Sequence, residues 1–154
     1  MSEQLASLHK KGGRDYGVNL FYSFLTPTTD NTWAAISYTG TVNDPDSTTL
    51  SVALDTSFGH INNGNIVVDK AIPKAYITGQ ALYGYNSSGT MRYTGVRMKK
   101  NGTVITGATV MGASGNLTPS FRRIETSFAV GDVITVEGNR TGNGGRCYIN
   151  IITD

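Results

Sequence analysis

Proton transfer and nucleophilic attack need particular side chains, and this chain offers few of them. Histidine, the usual general base near neutral pH, occurs only as His9 and His60. His9 precedes a Gly12-Gly13 pair and His60 stands beside an Asn62-Asn63-Gly64-Asn65 turn, so neither is expected to be poised for chemistry. Two carboxylates can work without histidine, as in glycoside hydrolysis, and Glu125 and Glu137 fall on neighbouring predicted strands. The plainer expectation makes them cross-strand partners of Arg122, Arg123 or Arg140. Cys147 occupies an alternating apolar position, which reads as a small core residue; as the single cysteine it makes no internal disulfide. Asp44 and Asp46 could offer oxygens to calcium, but the EF-hand spacing is absent and a turn prefers Asp and Asn anyway. No Gly-rich run follows a strand and opens a helix to cradle phosphate. The residues therefore predict no catalytic group, no metal and no cofactor.

Charge narrows the partners. The 154 residues carry a net +2, unevenly spread. Residues 1–69 hold three Lys and Arg against seven Asp and Glu, and 70–154 hold ten against four, giving −4 and +6. Such polarity can orient a subunit on a charged surface or simply solvate two faces. Arg92, Arg97, Lys99, Lys100, Arg122 and Arg123, with Tyr93 among them, could attract polyanions; with acids nearby, nucleic acid is not an expected partner. No run of about 18 apolar residues predicts a membrane span. The first residues lack the run of about seven apolar residues that a signal peptide needs, so cytoplasmic synthesis is expected.

The elements that would position these groups are strands. Nineteen glycines, abundant Asn, Ser and Thr and 16% charged residues suit short strands separated by turns, an all-β class. Alternation begins near Trp33 with Ala34, Ile36 and Tyr38, and resumes at Leu50, Val52 and Leu54 after the Asn43 to Ser47 turn. From Pro73 a long strand sets Ala75, Ile77, Ala81 and Tyr83 on one face and Tyr76, Thr78, Gln80 and Leu82 on the other. Apolar bulk on both faces predicts a central strand or an oligomer contact. Asn101-Gly102 supplies the positive φ angles of a tight hairpin. Phe128-Ala129-Val130-Gly131-Asp132-Val133-Ile134 joins two strands through a Gly-Asp corner, and Cys147, Ile149 and Ile151 share a face of the last strand. Eight to ten strands in two packed antiparallel sheets are expected.

Residues 1–19 differ from the rest. Leu5 and Leu8 are one helical turn apart, in a segment too short to be a stable helix alone, and Lys10-Lys11-Gly12-Gly13-Arg14 follows. The expectation is a flexible arm over 1–19, which orders against a partner or stays a tail, and one domain over 20–154.

Three motifs in order, Gly64 to Val68 with Ile72 to Thr78, Val96 to Gly102, and Phe128 to Val136, resemble the jelly-roll domain of complement globular heads and tumour-necrosis-factor-like proteins. Bacteriophage head-fibre, decoration and tail-fibre proteins share that domain. The resemblance covers about residues 57–154. There is no collagen repeat, and the last strand lacks the Phe-Ser-Gly ending of the animal members, which favours a phage-like relative. The resemblance implies a homotrimer with an aromatic-rich axis, for which Tyr76, Tyr83, Tyr93 and Tyr148 are the candidate contacts. It implies a non-enzymatic virion protein, a capsid decoration or head-fibre trimer anchored to the major capsid protein or another virion protein through Leu5, Leu8, His9, Lys10, Lys11 and Arg14. The alternative is a tail receptor-binding fibre that contacts the host cell surface, with a host surface glycan as a further partner; it stands second because such a fibre normally has a longer shaft. A carbohydrate-binding module would stack sugars on Trp33 or Tyr85.

Overall fold

Alternating apolar residues between turn signals fold here into strands alone. The structure, a computed structural model, describes residues 15–22, 32–35, 41–43, 49–51, 56–82, 84–85, 91–92, 94–113, 118–140 and 146–153. Fourteen strands occur among them: β1 (Asp15–Tyr22), β2 (Ala34–Ala35), β3 (Thr41–Asn43), β4 (Thr49–Ser51), β5 (Gly59–Asn62), β6 (Asn65–Val68) and β7 (Ile72–Leu82) in the first half. They are followed by β8 (Gly84–Tyr85), β9 (Met91–Arg92), β10 (Thr94–Lys100), β11 (Thr103–Met111), β12 (Ser120–Phe128), β13 (Val133–Arg140) and β14 (Arg146–Ile152). Four form one sheet in the order β1-β14-β7-β12; six form a second, β11-β10-β13-β6-β5 with β2 also on β13; β3-β4 and β8-β9 are separate two-stranded ribbons.

The pairing is nested. β10 pairs with β11, β7 with β12, β6 with β13 and β1 with β14, each pair antiparallel and each enclosing the one before it in the chain. Successive pairs alternate between the sheets, which is the winding of a jelly roll. The fold is thus the all-β, two-sheet antiparallel jelly roll that the sequence motifs implied. β1 starts at Asp15, inside the segment assigned to the arm. β14 supplies ladder partners for Val18, Asn19 and Leu20 from the far end of the chain, a pairing that no local pattern displays.

Between the sheets lies one core. Ala75, Ile77 and Ala81 of β7, Ile149 and Ile151 of β14, and Phe121 and Phe128 of β12 meet Ile66, Val68, Val96, Met98, Ile134 and Val136 of the other sheet. Phe58 and Phe128 pack edge to face, 5.7 Å between centroids at 76°. Gly79 faces Phe121 across the β7–β12 ladder. A Cβ there would lie 2.3 Å from the ring, so the absence of a side chain lets Phe121 lie over the strand.

Two hairpins turn through Asn-Gly. Asn63 and Gly64 have φ of 49° and 77°, Asn101 and Gly102 of 51° and 80°, the left-handed pair that a two-residue hairpin demands. The Asn101 turn and the Gly131-Asp132 corner are bonded to each other. Asn101 Nδ2 donates to Asp132 Oδ1 at 2.7 Å, and the Val133 N–H donates to Asn101 Oδ1 at 2.9 Å. The Ala129 N–H donates to Asp132 Oδ2 at 2.8 Å, and the Val68 N–H to the Asp132 carbonyl at 2.9 Å.

Chiefly through the Ala129 N–H, then through the Asn101 amide, the Asp132 carboxyl is held below the ordinary aspartate range; slight burial opposes this and Lys100 adds to it. A lowered folded value stabilises the protein above the unfolded value of about 3.9, and that contribution is lost as pH falls through the folded one. Asn101→Gly, which keeps the backbone angle but loses both side-chain bonds, is expected to cost about 2 kcal/mol in urea unfolding at pH 7. Asp132→Asn should flatten the loss of stability between pH 5 and pH 2; an unchanged acid slope would show that Asp132 does not hold the corner.

Candidate functional site

The residues singled out for chemistry are not assembled. Glu125 and Glu137 lie on consecutive strands, β12 and β13, but in opposite sheets, because the jelly roll crosses the sandwich at the Gly131 corner. Each meets cations of a neighbouring strand. Glu137 is held by Arg97 Nε and by Lys99 Nζ at 2.8 Å, and Glu125 approaches Lys74 at 3.9 Å. His60 donates from Nδ1 to the Asp69 carboxylate, 2.8 and 3.0 Å from its two oxygens, at an exposed position of β5. Among the described residues no three His, Cys, Asp or Glu side chains come together. No helix among them is long and apolar enough to cross a membrane. Cys147 stands opposite the buried Ala81 in the β14–β7 ladder.

Of the four tyrosines, Tyr83 and Tyr93 lie outside the described residues, as do the arm residues Leu5, Leu8, His9, Lys10, Lys11 and Arg14 and the Asp44 and Asp46 turn. Tyr76 and Tyr148 belong to adjacent strands, β7 and β14, with Tyr148 opposite Gln80. Tyr85 is in β8. Trp33 is no open stacking platform. The Arg97 guanidinium sits 4.6 Å from its ring centroid, and a Cβ on Gly95 would lie 3.0 Å from the ring.

The cations divide between two outer faces. On the six-stranded sheet, Arg97 and Lys99 converge on Glu137, which is only 8% exposed. Burial pushes the Glu137 carboxyl up, but the hydrogen bonds and charges of Lys99 and Arg97 outweigh it and hold the group below the ordinary glutamate range. Lys100 leaves this group, donating to the Ser127 carbonyl at 2.8 Å beside the Phe128 ring.

On the four-stranded sheet a bulge makes the site. Phe121 stands opposite Gly79 and Ile124 opposite Ile77, so three steps of β12 match two of β7. Arg123 absorbs the extra residue at φ 56°, a left-handed conformation costing a non-glycine residue about 1–3 kcal/mol. The bulge leaves Arg122 and Arg123 both exposed. Arg123 stacks on Tyr76 at 4.3 Å, with Lys74 5.6 Å from the same ring. Beside them is a depression of about 320 Å³ over Gly79, rimmed by Thr78, Gln80, Ser120, Arg122 and Asn150. Asn150 Oδ1 is buried and has no hydrogen-bond partner among the described residues. Sequence reasoning missed this site. Its polar residues come from three strands distant in the chain, and the single local sign was an Arg-Arg pair inside an alternating strand.

No protein-family model matches the chain, and no curated protein matches it. Among solved structures it is similar to pika GITRL, with 14% identity over 89% of this chain and 95% of that one and a TM-score of 0.46. It is also similar to murine APRIL at pH 8.0, with 12% identity, 86% and 97% coverage and a TM-score of 0.40.

Glu137→Ala would leave Arg97 and Lys99 facing each other, half-buried and uncompensated. The expected cost is about 3 kcal/mol by chemical denaturation. Because the folded pKa of Glu137 is lowered, the difference between wild type and variant should be full at neutral pH and shrink as the carboxylate protonates; a difference independent of pH would place the loss in packing instead.

Proposed function

We propose that the chain is a non-enzymatic bacteriophage virion protein, a capsid decoration or head-fibre protein that assembles as a homotrimer and is attached through the residues before β1. The observation that carries this reading is the polarity of the sandwich. Asp15 stands opposite Ile152, and Ile72 opposite Phe128, so β1 begins at the end closed by the Asn101–Asp132 corner. The far end gathers Tyr22, Leu82, Gly112, Ser120, Arg140 and Arg146, where the strands leave for the connecting loops. A segment preceding Asp15 is therefore tethered at the hydrogen-bonded end, and the loop-bearing end faces away from it. This suits a body carried outward from a surface. The phage character of the proposal rests on the sequence motifs and on their departures from the animal members of the resembled family.

The trimer rests on the same resemblance, with Tyr76 and Tyr148 in one sheet as its candidate contacts. In a tail fibre of the same design the loop-bearing end would meet the host surface, and the polarity would serve that role equally.

Removing residues 1–14, which spares β1, should leave a folded trimer by mass measurement in solution that no longer co-sediments with capsids. Retained attachment would sink the anchoring role, and a stable monomer of the full chain would remove the trimer. Adsorption of the purified protein to host cells, with block of infection, would assign the tail role in place of the capsid one.

A further inference from the structure

Asn-Gly is also the dipeptide in which a backbone can attack its own side chain. The glycine nitrogen must approach the asparagine side-chain carbonyl carbon, Cγ, and with no Cβ on the glycine that nitrogen is unshielded. Two such dipeptides stand among the described residues; a third, Asn143-Gly144, lies outside them. Asn63-Gly64 and Asn101-Gly102 both close two-residue hairpins, between Asn62 and Asn65 and between Lys100 and Thr103. Both adopt the same left-handed pair of conformations, and both asparagines are exposed. Dipeptide and backbone therefore cancel in the comparison, and the side-chain bonds remain.

Asn101 is held at three points. Its N–H donates to the Val133 carbonyl at 2.9 Å, its Nδ2 donates to Asp132 Oδ1 at 2.7 Å, and its Oδ1 accepts from the Val133 N–H at 2.9 Å. Cγ is not free to swing towards the Gly102 nitrogen while both side-chain bonds stand. The Asp132 carboxylate adds a second barrier, because a neighbouring negative charge disfavours the deprotonated nitrogen that attacks. Asn63 makes no side-chain hydrogen bond among the described residues, so its Cγ has neither restraint.

From this contrast we infer that Asn63 is a site of spontaneous deamidation and that the Asp132 corner shields Asn101 from the same reaction. The Gly64 nitrogen gives up its proton and bonds to Asn63 Cγ; the Cγ–Nδ2 bond breaks, and Nδ2 leaves with that proton as ammonia. The product is a cyclic imide. Water then adds to either imide carbonyl and reopens the ring, giving aspartate where the original backbone is restored and isoaspartate where the chain is rerouted through the side chain. No redox partner is needed. Isoaspartate at 63 inserts a methylene into a turn that has no slack, but β5 stands at the edge of its sheet and β6 keeps its own pairing with β13, so the damage stays local. At Asn101 the same change would put a carboxylate against that of Asp132 and remove the Nδ2 donor, opening the corner.

The test is to age the purified full chain in mildly alkaline buffer, folded and in urea, and to map its peptides by mass spectrometry with isoaspartate methyltransferase labelling. In urea the two sites should convert at similar rates, since both are Asn-Gly. In the folded chain Asn63 should convert at least about tenfold faster than Asn101, the effect of one hydrogen bond that must break before reaction. Asp132→Ala should raise the Asn101 rate about tenfold and leave Asn63 unchanged. A rise at both sites would report unfolding of the variant, and the wild-type ratio then decides. Equal rates in the folded wild type would overturn the inference. So would an Asn63 that converts in urea but not when folded, because the hairpin backbone would then be the protecting element. An Asn101 that stays slow in a folded Asp132→Ala would remove the shielding role from the corner.

Discussion

Asp132 is the joint on which the sandwich closes. Its two carboxylate oxygens and its carbonyl receive donors from Ala129, Asn101 and Val68, which belong to three segments widely separated in the chain. A jelly roll is built from nested long-range pairs, and each pair bears the loop-closure entropy of everything it encloses. A single residue that ties the β10–β11 hairpin, the β12–β13 crossing and the end of β6 fixes the mutual placement of strands that no local contact would align. The carboxylate is suited to this because it is a charge-assisted acceptor on both oxygens, and its hydrogen bonds favour the ionised form.

Local chemistry was legible to the extent that it was local. The two Asn-Gly turns, the Gly-Asp corner and the eleven-residue β7 all stand where positive φ preference and period-two alternation put them. What those motifs do together was not. The Asn101 turn and the Asp132 corner are one hydrogen-bonded unit, yet their residues are separated by 31 positions and neither pattern names the other. Glu125 and Glu137 show the converse error, in which nearness along the chain suggested pairing. The crossing at Gly131 sends them to different sheets, and the cations that meet Glu137 come from β10. The depression was hidden for the same reason, because Thr78, Ser120 and Asn150 converge only when β7 takes β12 on one side and β14 on the other.

Irregularities in the ladders follow a similar logic. β11 slips against β10 between Arg97 and Lys99, with Gly107 at φ 83°, and β12 slips against β7 at Arg123. A Cβ on Gly107 would lie 3.0 Å from Ile124 Cδ1, so the two irregular stretches meet where the sheets approach along one edge of the sandwich. Glycine supplies the left-handed backbone of one bulge at little cost; arginine supplies it at the other with strain. The stack on Tyr76 offsets part of that strain at a position where glycine would relieve it outright.

The two outer faces therefore have different chemical characters. On the six-stranded sheet, Arg97, Lys99, Glu137 and Trp33 satisfy one another, while Asn139 Oδ1 of the same β13 is a buried acceptor without a donor. On the four-stranded sheet the bulge separates its two arginines by function, one consumed in the Tyr76 stack and one left at the rim of a polar depression with an unpaired acceptor in its wall. Recognition is favoured where desolvation has already been suffered by the free protein, because a ligand then replaces a deficit in place of an existing bond. Among the described cations of the second half of the sequence, Arg97 and Lys99 are neutralised by Glu137 on the six-stranded sheet, whereas Arg122 stands exposed at the rim of the depression on the four-stranded one.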